Sequence, residues 1–342
     1  MRLENIGFYT LSDKRARQSS ATSRLMRCEM LLTGRCNFRC PYCRSVGGPD
    51  IDFNEAAETI RLWAADELFA IRFSGGEPLL YPRIIELVKL AKESGIEHIA
   101  ISSNGSMPWA KYEALTEAGV NDWSISLDAC CAEDGDRMAG GVKGAWERVI
   151  STIRQLSTKT YVTVGIVLTE HNVFTITKTI ELAASLGVAD IRVIPAAQEG
   201  STLPAIVLSH VILSKYPILA YRIGNINYRT VRGLLDDDSR RCGLVLDDMA
   251  VMGDQHYPCI IYLREGGAAI GNVGPNMRQE RMDWYRTHDT HQDPICRKNC
   301  LDVCQDYNNR FEETNAAANG VESIRLVRVA GGVSDTSFPI IG

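Results

Sequence analysis

Short apolar runs alternate with amphipathic stretches along the first two thirds of the chain. Each run is brief and ends in turn-forming residues, as expected of a buried strand. The six predicted strands begin at Cys28, Phe69, Ile96, Asp122, Tyr161 and Ile191. Helices are predicted between them by their periodicity and end signals: after Asp52 as N-cap, from Pro82, after Ser106, from Gly144 and from Asn172. This alternation predicts an α/β fold with a parallel sheet, either doubly wound or curled into a partial barrel.

The composition narrows the class of protein. A chain of 342 residues with 45% hydrophobic residues can bury a large core and carry an appendage. Charges flank the short apolar patch near the N-terminus, unlike in a signal peptide. The most apolar stretch contains His210, Lys215 and Pro217, so it falls short of a membrane span. We therefore expect a cytoplasmic protein without a membrane partner, whose eleven cysteines serve metal ligation rather than disulfides.

The charge pattern argues against a nucleic-acid partner. The net charge of −5 provides no general attraction for polyanions. A basic arm does precede the first predicted strand; it consists of Lys14, Arg15, Arg17, Arg24 and Arg27. The favoured interpretation is a solvated extension, and the alternative is a site that grips phosphate or nucleic acid.

Three cysteines directly follow the first predicted strand. Cys36, Cys40 and Cys43 lie where parallel α/β folds gather their ligands, at the carboxyl end of a strand. A structural zinc site would need a fourth ligand from elsewhere, such as Cys130 or Cys131. A [4Fe–4S] cluster can instead use three thiolates and leave one iron open to a substrate.

The segment "CNFRCPYC" resembles the C-x3-C-x2-C signature of the radical S-adenosylmethionine (SAM) superfamily. After the second predicted strand, "FSGGEP" resembles the GGEP motif of that superfamily. "SSNG" after the third strand and "SISLDA" in the fourth are similar to the equivalent strand ends of its members. The motifs occur in order at successive strand ends. The resemblance implies a partial (β/α)6 TIM-like barrel and an enzyme that cleaves SAM reductively to a 5′-deoxyadenosyl radical, which abstracts hydrogen from its substrate.

The resemblance also implies roles for individual residues. Cys36, Cys40 and Cys43 would hold the cluster that chelates SAM. The implied SAM contacts are Gly75 and Gly76 at the methionine, Glu77 at its amino group, Tyr42 at the adenine, and Ser103, Asn104 and Ser126 at the ribose and carboxylate. Asp128 either joins these contacts or caps the following loop, and Ile194 either packs on the adenine or belongs to the core. Cys130 and Cys131 are either hydrogen donors to a substrate radical or idle thiols.

A second group of cysteines lies in the C-terminal third: Cys242, Cys259, Cys296, Cys300 and Cys304. The text from Cys242 to Cys259, followed by "AIGNV", resembles the SPASM or Twitch extension, in which a hairpin separates the first two ligands. We expect one auxiliary [4Fe–4S] cluster of the Twitch type rather than two. The last three cysteines are spaced to share one helix face, so the spare one stays undecided. A zinc site is the alternative, since four thiolates satisfy zinc equally well.

These features predict a division of the chain and a class of substrate. The division is an N-terminal extension (1–27), the radical SAM barrel (28–205), a connecting segment (206–241), a small auxiliary-cluster domain (242–312) and a tail (313–342). A small-molecule or nucleotide-like substrate is favoured, with flavodoxin or ferredoxin as electron donor. A peptide substrate is the second choice, because 27 residues before the first strand are few for a leader-binding module. A non-catalytic, zinc-stabilised binding module is the alternative from another class.

Overall fold

The computed structural model describes residues 14–44, 46–197, 204–229 and 231–318. In these residues the strands are β1 (Arg27–Thr33), β2 (Ala70–Gly75), β3 (His98–Ser103), β4 (Asp122–Ser126), β5 (Tyr161–Leu168), β6 (Asp190–Pro195), β7 (Asp248–Met252), β8 (Gln255–Tyr257) and β9 (Gly271–Asn272). The α-helices are α1 (Phe53–Ala65), α2 (Ile84–Glu93), α3 (Trp109–Ala118), α4 (Ala132–Met138), α5 (Ala145–Ser157), α6 (Ile176–Ser185), α7 (His210–Lys215), α8 (Pro217–Tyr228), α9 (Ile260–Arg264), α10 (Met277–Thr287), α11 (Pro294–Asn299) and α12 (Asp302–Ala318). Within the described ranges, no helix combines the length and apolarity that a membrane crossing requires.

The strands form one sheet in the order β6-β5-β4-β3-β2-β1-β7-β8-β9. Strands β1 to β6 are parallel, and each pairs with its neighbour in the chain. A doubly wound sheet would reverse its strand order among β1 to β6, whereas these six strands lie side by side in chain order. The structure therefore confirms the partial barrel and excludes the doubly wound alternative.

The predicted helices form with small shifts at their ends. Helix α1 begins after Asp52 as expected, because the Asp52 carboxylate accepts hydrogen bonds from the backbone of Asn54 (2.8 Å) and Glu55 (3.2 Å). The helix expected directly after Ser106 begins at Trp109 instead, with Pro108 as its N-cap residue. Ser106 is engaged elsewhere, since its hydroxyl donates to Oδ1 of Asn104 at 2.7 Å.

The predicted hairpin between Cys242 and Cys259 is present as β7 and β8. It is not a separate sheet, because β7 pairs in parallel with β1 and so extends the barrel sheet. The N-terminal strand and the C-terminal hairpin are thus hydrogen-bonded neighbours. This arrangement lets one cavity wall contain residues from both halves of the chain.

The prediction that Cys296, Cys300 and Cys304 share one helix face is wrong. Helix α11 ends at Asn299, Cys300 has an extended ψ of 133°, and α12 begins at Asp302. The break has a tertiary cause. The buried Asp302 carboxylate accepts hydrogen bonds from Arg222 and Asn225 of α8, and its backbone nitrogen donates to Val231.

The basic arm is largely not a solvated extension, which corrects the favoured interpretation. Arg15 approaches Asp247 at 3.5 Å, Arg24 pairs with Glu97 at 3.0 Å, and Arg27 pairs with Asp248 at 2.8 Å. Ala16 is buried in a small core cluster with Leu244, Val245, Leu246, Tyr307 and Phe311. Arg17 is exposed, and the side chain of Lys14 lies outside the described residues. The arm therefore docks on the folded protein, with Arg15 and Ala16 on its C-terminal part and Arg24 on the barrel.

Asp190 joins the last barrel strand to α8. Its carboxylate is 1% exposed and accepts hydrogen bonds from the backbone nitrogens of Ile191 (2.7 Å) and Ile218 (3.3 Å). Burial outweighs these bonds and raises the pKa of Asp190 from 3.8 to about 6. The folded protein therefore binds this proton more tightly than the unfolded chain does.

We predict that Asp190 makes stability fall as the pH rises. Its contribution is present below the unfolded pKa and is lost as the pH passes about 6, which amounts to about 2 kcal/mol between pH 4.5 and 7. Urea unfolding followed by tryptophan fluorescence should show a loss of stability between pH 4.5 and 7 that is about 2 kcal/mol smaller in Asp190→Asn than in the unmodified protein. The exposed Asp236→Asn variant should behave like the unmodified protein. Parallel pH profiles for the unmodified protein and Asp190→Asn would contradict this assignment.

Candidate active site

A cavity of about 490 Å³ lies at the carboxyl ends of the barrel strands. Its wall includes Cys36, Cys40 and Cys43, from the loop that follows β1. The wall also contains residues of β1 to β7, of α4, α5, α8 and α9, and of the start of α12. The three cysteines therefore lie where the strand-end rule predicted a binding site.

Two glycines position the cysteine loop. The backbone nitrogen of Gly76 donates to Thr33 at 2.8 Å, and a Cβ on Gly76 would lie 2.3 Å from the carbonyl oxygen of Arg35. Gly75 has a φ of +140°, and a Cβ there would lie 2.4 Å from the oxygen of Thr33. The sequence suggested that these glycines make room for SAM. The structure shows a second reason for glycine at both positions. The chain around the cysteine loop already occupies the space that a side chain would need.

The three thiols form a donor set that fits an iron–sulfur cluster. The Cys36 sulfur accepts a hydrogen bond from the backbone of Phe38 at 3.4 Å, and the amide of Asn104 lies 3.8 Å from it. Burial raises the pKa of Cys40 to about 12 and also raises the pKa of Cys36. A bound metal stabilises the thiolate form of its cysteine ligands, and soft thiolate ligands suit iron–sulfur clusters.

Glu77 is fully buried behind the cavity wall rather than part of it. Its carboxylate accepts hydrogen bonds from the Ser103 hydroxyl (3.0 Å), the Asn104 backbone (2.8 Å) and the Leu79 backbone (3.0 Å). Burial raises its pKa to about 7. In this structure Glu77 ties the loop after β2 to the loop after β3, while Ser103 and Asn104 themselves line the cavity.

Asp128 connects the cysteine loop to the barrel. Its carboxylate accepts hydrogen bonds from the Tyr42 hydroxyl and, at 2.7 Å, from the backbone of Val167 in β5. The alternative in which Asp128 caps its own following loop is therefore wrong, because its backbone partner belongs to the neighbouring strand. Burial raises the pKa of Asp128 to about 6.

The other predicted contact residues divide between cavity and surface. Tyr42, Ser126, Asp128 and Ile194 line the cavity, so Ile194 is more than a core residue. Cys130 and Cys131 are absent from the described lining residues. Cys131 is exposed, with its sulfur 3.4 Å from the Asp134 carboxylate at the start of α4. The structure therefore does not place either thiol as a hydrogen donor in this cavity.

The five C-terminal cysteines converge on a second, smaller cavity of about 40 Å³. The residues concerned are Cys242, Cys259, Cys296, Cys300 and Cys304. Cys259 and Cys304 also line the large cavity, so the two sites share a wall. His288, Asp293 and Cys296 form a further group whose ligand atoms lie within 4.8 Å of one another. All five cysteines thus line one cavity, although Cys296, Cys300 and Cys304 do not lie on one continuous helix.

Arg281 is a structural residue that the sequence did not single out. Its side chain is 1% exposed and donates to the backbone oxygens of Val245 (2.7 Å), Tyr257 (3.1 Å) and Asp248. These contacts hold the turn after Cys242 against the hairpin that leads to Cys259. Burial lowers the pKa of Arg281 to about 10.

Sequence reasoning also missed the basic lining of the large cavity, which contains Arg27, Arg44, Arg72, Arg192, Arg222, Arg232 and Arg264. These arginines are scattered along the chain, and each one taken alone resembles a surface charge. A usable signal was present, because Arg72 and Arg192 interrupt otherwise apolar strands. A charge in a buried strand needs a partner and is therefore a candidate for function.

Comparisons with known proteins agree with this geometry. Residues 30–183 match the family model described as the radical SAM superfamily. The GTP 3',8-cyclase of Chlorobaculum tepidum is 41% identical over 102 residues, which are 28% of this chain and 31% of that protein. The PqqA peptide cyclase of Ruegeria pomeroyi is 30% identical over 168 residues, 47% of this chain and 45% of that protein.

Two solved structures share the fold. Streptococcus suis SuiB superposes with a TM-score of 0.57 at 14% identity and covers 80% of this chain and 67% of its own. The protein described as anSMEcpe with bound AdoMet gives a TM-score of 0.56 at 13% identity, over 86% of this chain and 99% of its own. These likenesses support the partial-barrel architecture.

Residues 30–183 form a radical SAM domain, as the family match, the motifs, the cysteine loop and the barrel all indicate. A domain of this family implies a [4Fe–4S] cluster and SAM. The chain covers less than half the length of the curated relatives described above.

Proposed function

We propose that this protein is a radical SAM enzyme that abstracts hydrogen from a small, polar substrate held in the 490 Å³ cavity. The observation that carries the proposal is the meeting of Cys36, Cys40 and Cys43 with Gly75, Gly76, Ser103, Asn104 and Ser126 around that cavity. The cluster and SAM, when bound, supply a 5′-deoxyadenosyl radical for chemistry that protein side chains cannot perform.

The protein's own part is placement and shielding. The Tyr42–Asp128 hydrogen bond and the close packing of Gly76 on Arg35 fix the cysteine loop at the strand ends. The barrel strands surround the reacting region, which limits the access of water and protects a reactive species. Cys36, Cys40 and Cys43 would hold the cluster, and the exposed Ser126, which also lines the cavity, would meet the cofactor.

We further propose one auxiliary [4Fe–4S] cluster in the second cavity, bound by Cys242, Cys259 and two of the last three cysteines. The shared wall formed by Cys259 and Cys304 supports this proposal, because it puts the auxiliary site beside the substrate cavity. Flavodoxin or ferredoxin is the proposed electron donor. A reducing compartment such as the cytoplasm is the proposed location, since free thiols and thiolate-bound clusters persist there.

A small or nucleotide-like substrate is favoured over a peptide because the cavity lies at the barrel strands and is lined by seven arginines. The similarity to a GTP 3',8-cyclase agrees with that choice. The similarity to a PqqA peptide cyclase keeps a peptide as the second candidate.

The test is an anaerobic assay of the reconstituted protein with dithionite and SAM. We expect slow release of 5′-deoxyadenosine without substrate and about eight iron per chain, four for each cluster. Protein heated before the assay serves as the control for non-enzymatic cleavage. Tightly bound zinc without iron uptake, or no release above that control, would refute the proposal in favour of a zinc-stabilised binding module.

A further inference from the structure

The arginines of the large cavity differ in how they are neutralised. Four of the seven pair with carboxylates; the pairs are Arg27–Asp248 (2.8 Å), Arg72–Asp122 (3.3 Å), Arg44–Glu265 and Arg222–Asp302. The other three, Arg192, Arg232 and Arg264, have no ion-pair partner among the described residues. Uncompensated charges in a partly buried wall are costly, and a binding partner can remove that cost.

One of the three has a structural explanation. Arg264 follows the auxiliary hairpin, and its terminal nitrogens donate to the backbone oxygens of Arg44 (3.4 Å) and Gly75 (3.3 Å). It therefore holds α9 against the cysteine loop and the end of β2. The position of Arg264 is therefore explained without a substrate.

Arg192 has donor capacity to spare inside the barrel. Its Nη2 donates to the Ser124 hydroxyl at 3.2 Å, and its buried Nε has no hydrogen-bond partner among the described residues. The side chain passes over Gly165, where a Cβ would lie 3.7 Å from Nη2. Burial and the nearby charges of Arg72 and Arg222 lower its pKa to about 10. Arg192 still carries its charge at neutral pH.

Arg232 approaches the same region from the connecting segment. Its Nε donates to the carbonyl oxygen of Pro195, at the end of the strand that bears Arg192, at 3.1 Å. Its Nη1 lies 3.5 Å from the carbonyl oxygen of Asn299, and its Nη2 has no partner in the described part of the chain. Burial and the charges of Arg44 and Arg222 lower its pKa to about 10. The charge of Arg222 thus lowers the pKa of both arginines, while Arg222 itself is paired with Asp302.

The carboxylates of the cavity wall do not neutralise this pair by contact. Glu29 accepts a hydrogen bond from the Ser74 hydroxyl at 2.6 Å. Its charge raises the pKa of Arg192, but by less than burial, Arg72 and Arg222 lower it. Asp128 is bound by Tyr42 and Val167, and Asp248 by Arg27. Two guanidinium groups, those of Arg192 within β6 and of Arg232 bonded to the end of that strand, therefore line the cavity without an ion-pair partner among the described residues.

We propose that Arg192 and Arg232 form an anion subsite that binds a carboxylate or phosphate group of the substrate. This inference rests on the proposed function and names its substrate class: a small anionic molecule, such as a phosphorylated one. Planar guanidinium groups suit both anions, since their paired donors match carboxylate and phosphate oxygens. The carboxylate of SAM is the other source of such an anion, and the experiment separates the two.

The test measures binding to the anaerobically reconstituted holoenzyme by isothermal titration, with inorganic pyrophosphate and SAM as separate probes. We expect the unmodified protein to bind pyrophosphate, and Arg192→Gln and Arg232→Gln each to weaken this binding at least about tenfold, since hydrogen-bonded charges contribute strongly when desolvated. SAM affinity should change less than about twofold. Arg154→Gln, at an exposed position of α5, is the matched control and should leave both affinities unchanged.

Lysine variants distinguish loss of the anion subsite from misfolding of the protein. Arg192→Lys and Arg232→Lys keep the charge and remove the planar fork, so intermediate pyrophosphate affinity with full iron content supports the subsite. Absence of pyrophosphate binding in the unmodified holoenzyme overturns the inference. So does a loss of SAM affinity in the glutamine variants with pyrophosphate binding unchanged, which would assign the arginines to the cofactor. Pyrophosphate binding that depends on both arginines, in a protein that releases no 5′-deoxyadenosine, would refute the proposed function and leave the subsite standing.

Discussion

Replacing Cys40 by alanine is expected to abolish the release of 5′-deoxyadenosine from SAM under reducing conditions. Cys40 is the middle cysteine of the loop, it packs against the barrel core, and the neighbouring Cys43 and Cys36 raise its pKa in addition to burial. With one thiolate lost, two ligands cannot hold a site-differentiated [4Fe–4S] cluster. We expect activity to fall by more than about 100-fold, because losing even an outer partner of a metal ligand costs 10–100-fold.

Iron content provides the second readout for Cys40→Ala. The variant should lose about four iron per chain and keep about four in the auxiliary site. Cys131→Ala is the matched control, since Cys131 is exposed and outside the described cavity wall. It should match the unmodified protein in both iron content and 5′-deoxyadenosine release. Undiminished SAM cleavage by Cys40→Ala would remove the cysteine loop from the proposed mechanism.

Replacing Cys259 by alanine is expected to remove the auxiliary cluster and leave SAM cleavage in place. Cys259 begins α9, where its sulfur accepts a hydrogen bond from the Tyr262 backbone at 3.4 Å, and it lies in the wall that the two cavities share. Its position is fixed by the hairpin that Arg281 braces, so neighbouring cysteines cannot easily replace it. We expect a loss of about four iron per chain, with release of 5′-deoxyadenosine within about twofold of the unmodified protein.

The same experiment on Cys242 and on the last three cysteines identifies the ligand set. Cys242→Ala should behave like Cys259→Ala. Of the variants at Cys296, Cys300 and Cys304, two should lose the auxiliary iron and one should keep it, because five cysteines meet at a site that needs four. Full iron content in both hairpin variants would exclude Cys242 and Cys259 as ligands, and the Twitch interpretation would then fail.

The alternation of strands and helices and the identity of the first metal site could be predicted from the sequence alone. Both depend on local information. A buried strand needs a short apolar run wherever it lies, and three thiols within eight residues meet at one point in almost any loop. The N-cap at Asp52 was predictable for the same reason, since a cap bonds only to residues two and three positions ahead.

The partners of the buried charges were decided only by the tertiary structure. Asp302 ends one helix and starts another because Arg222 and Asn225 reach it from a helix about 80 residues earlier in the chain. Asp128 binds Val167 rather than its own loop because parallel pairing brings β5 beside β4. No local pattern encodes such long-range pairs.

The shape and charge of the substrate cavity were also decided only by the tertiary structure. The seven arginines of the cavity wall are spread along the chain from Arg27 to Arg264, and the barrel with its added hairpin brings them to one wall. Which of them stay unpaired depends on carboxylates supplied by other strands and helices. The sequence by itself therefore determined the chemistry that the cysteine loop supports, through ligands that are close in the chain. The tertiary structure decided which substrates that chemistry can reach. Whether an arginine of the cavity wall is left without a carboxylate partner depends on all the residues that folding brings near it.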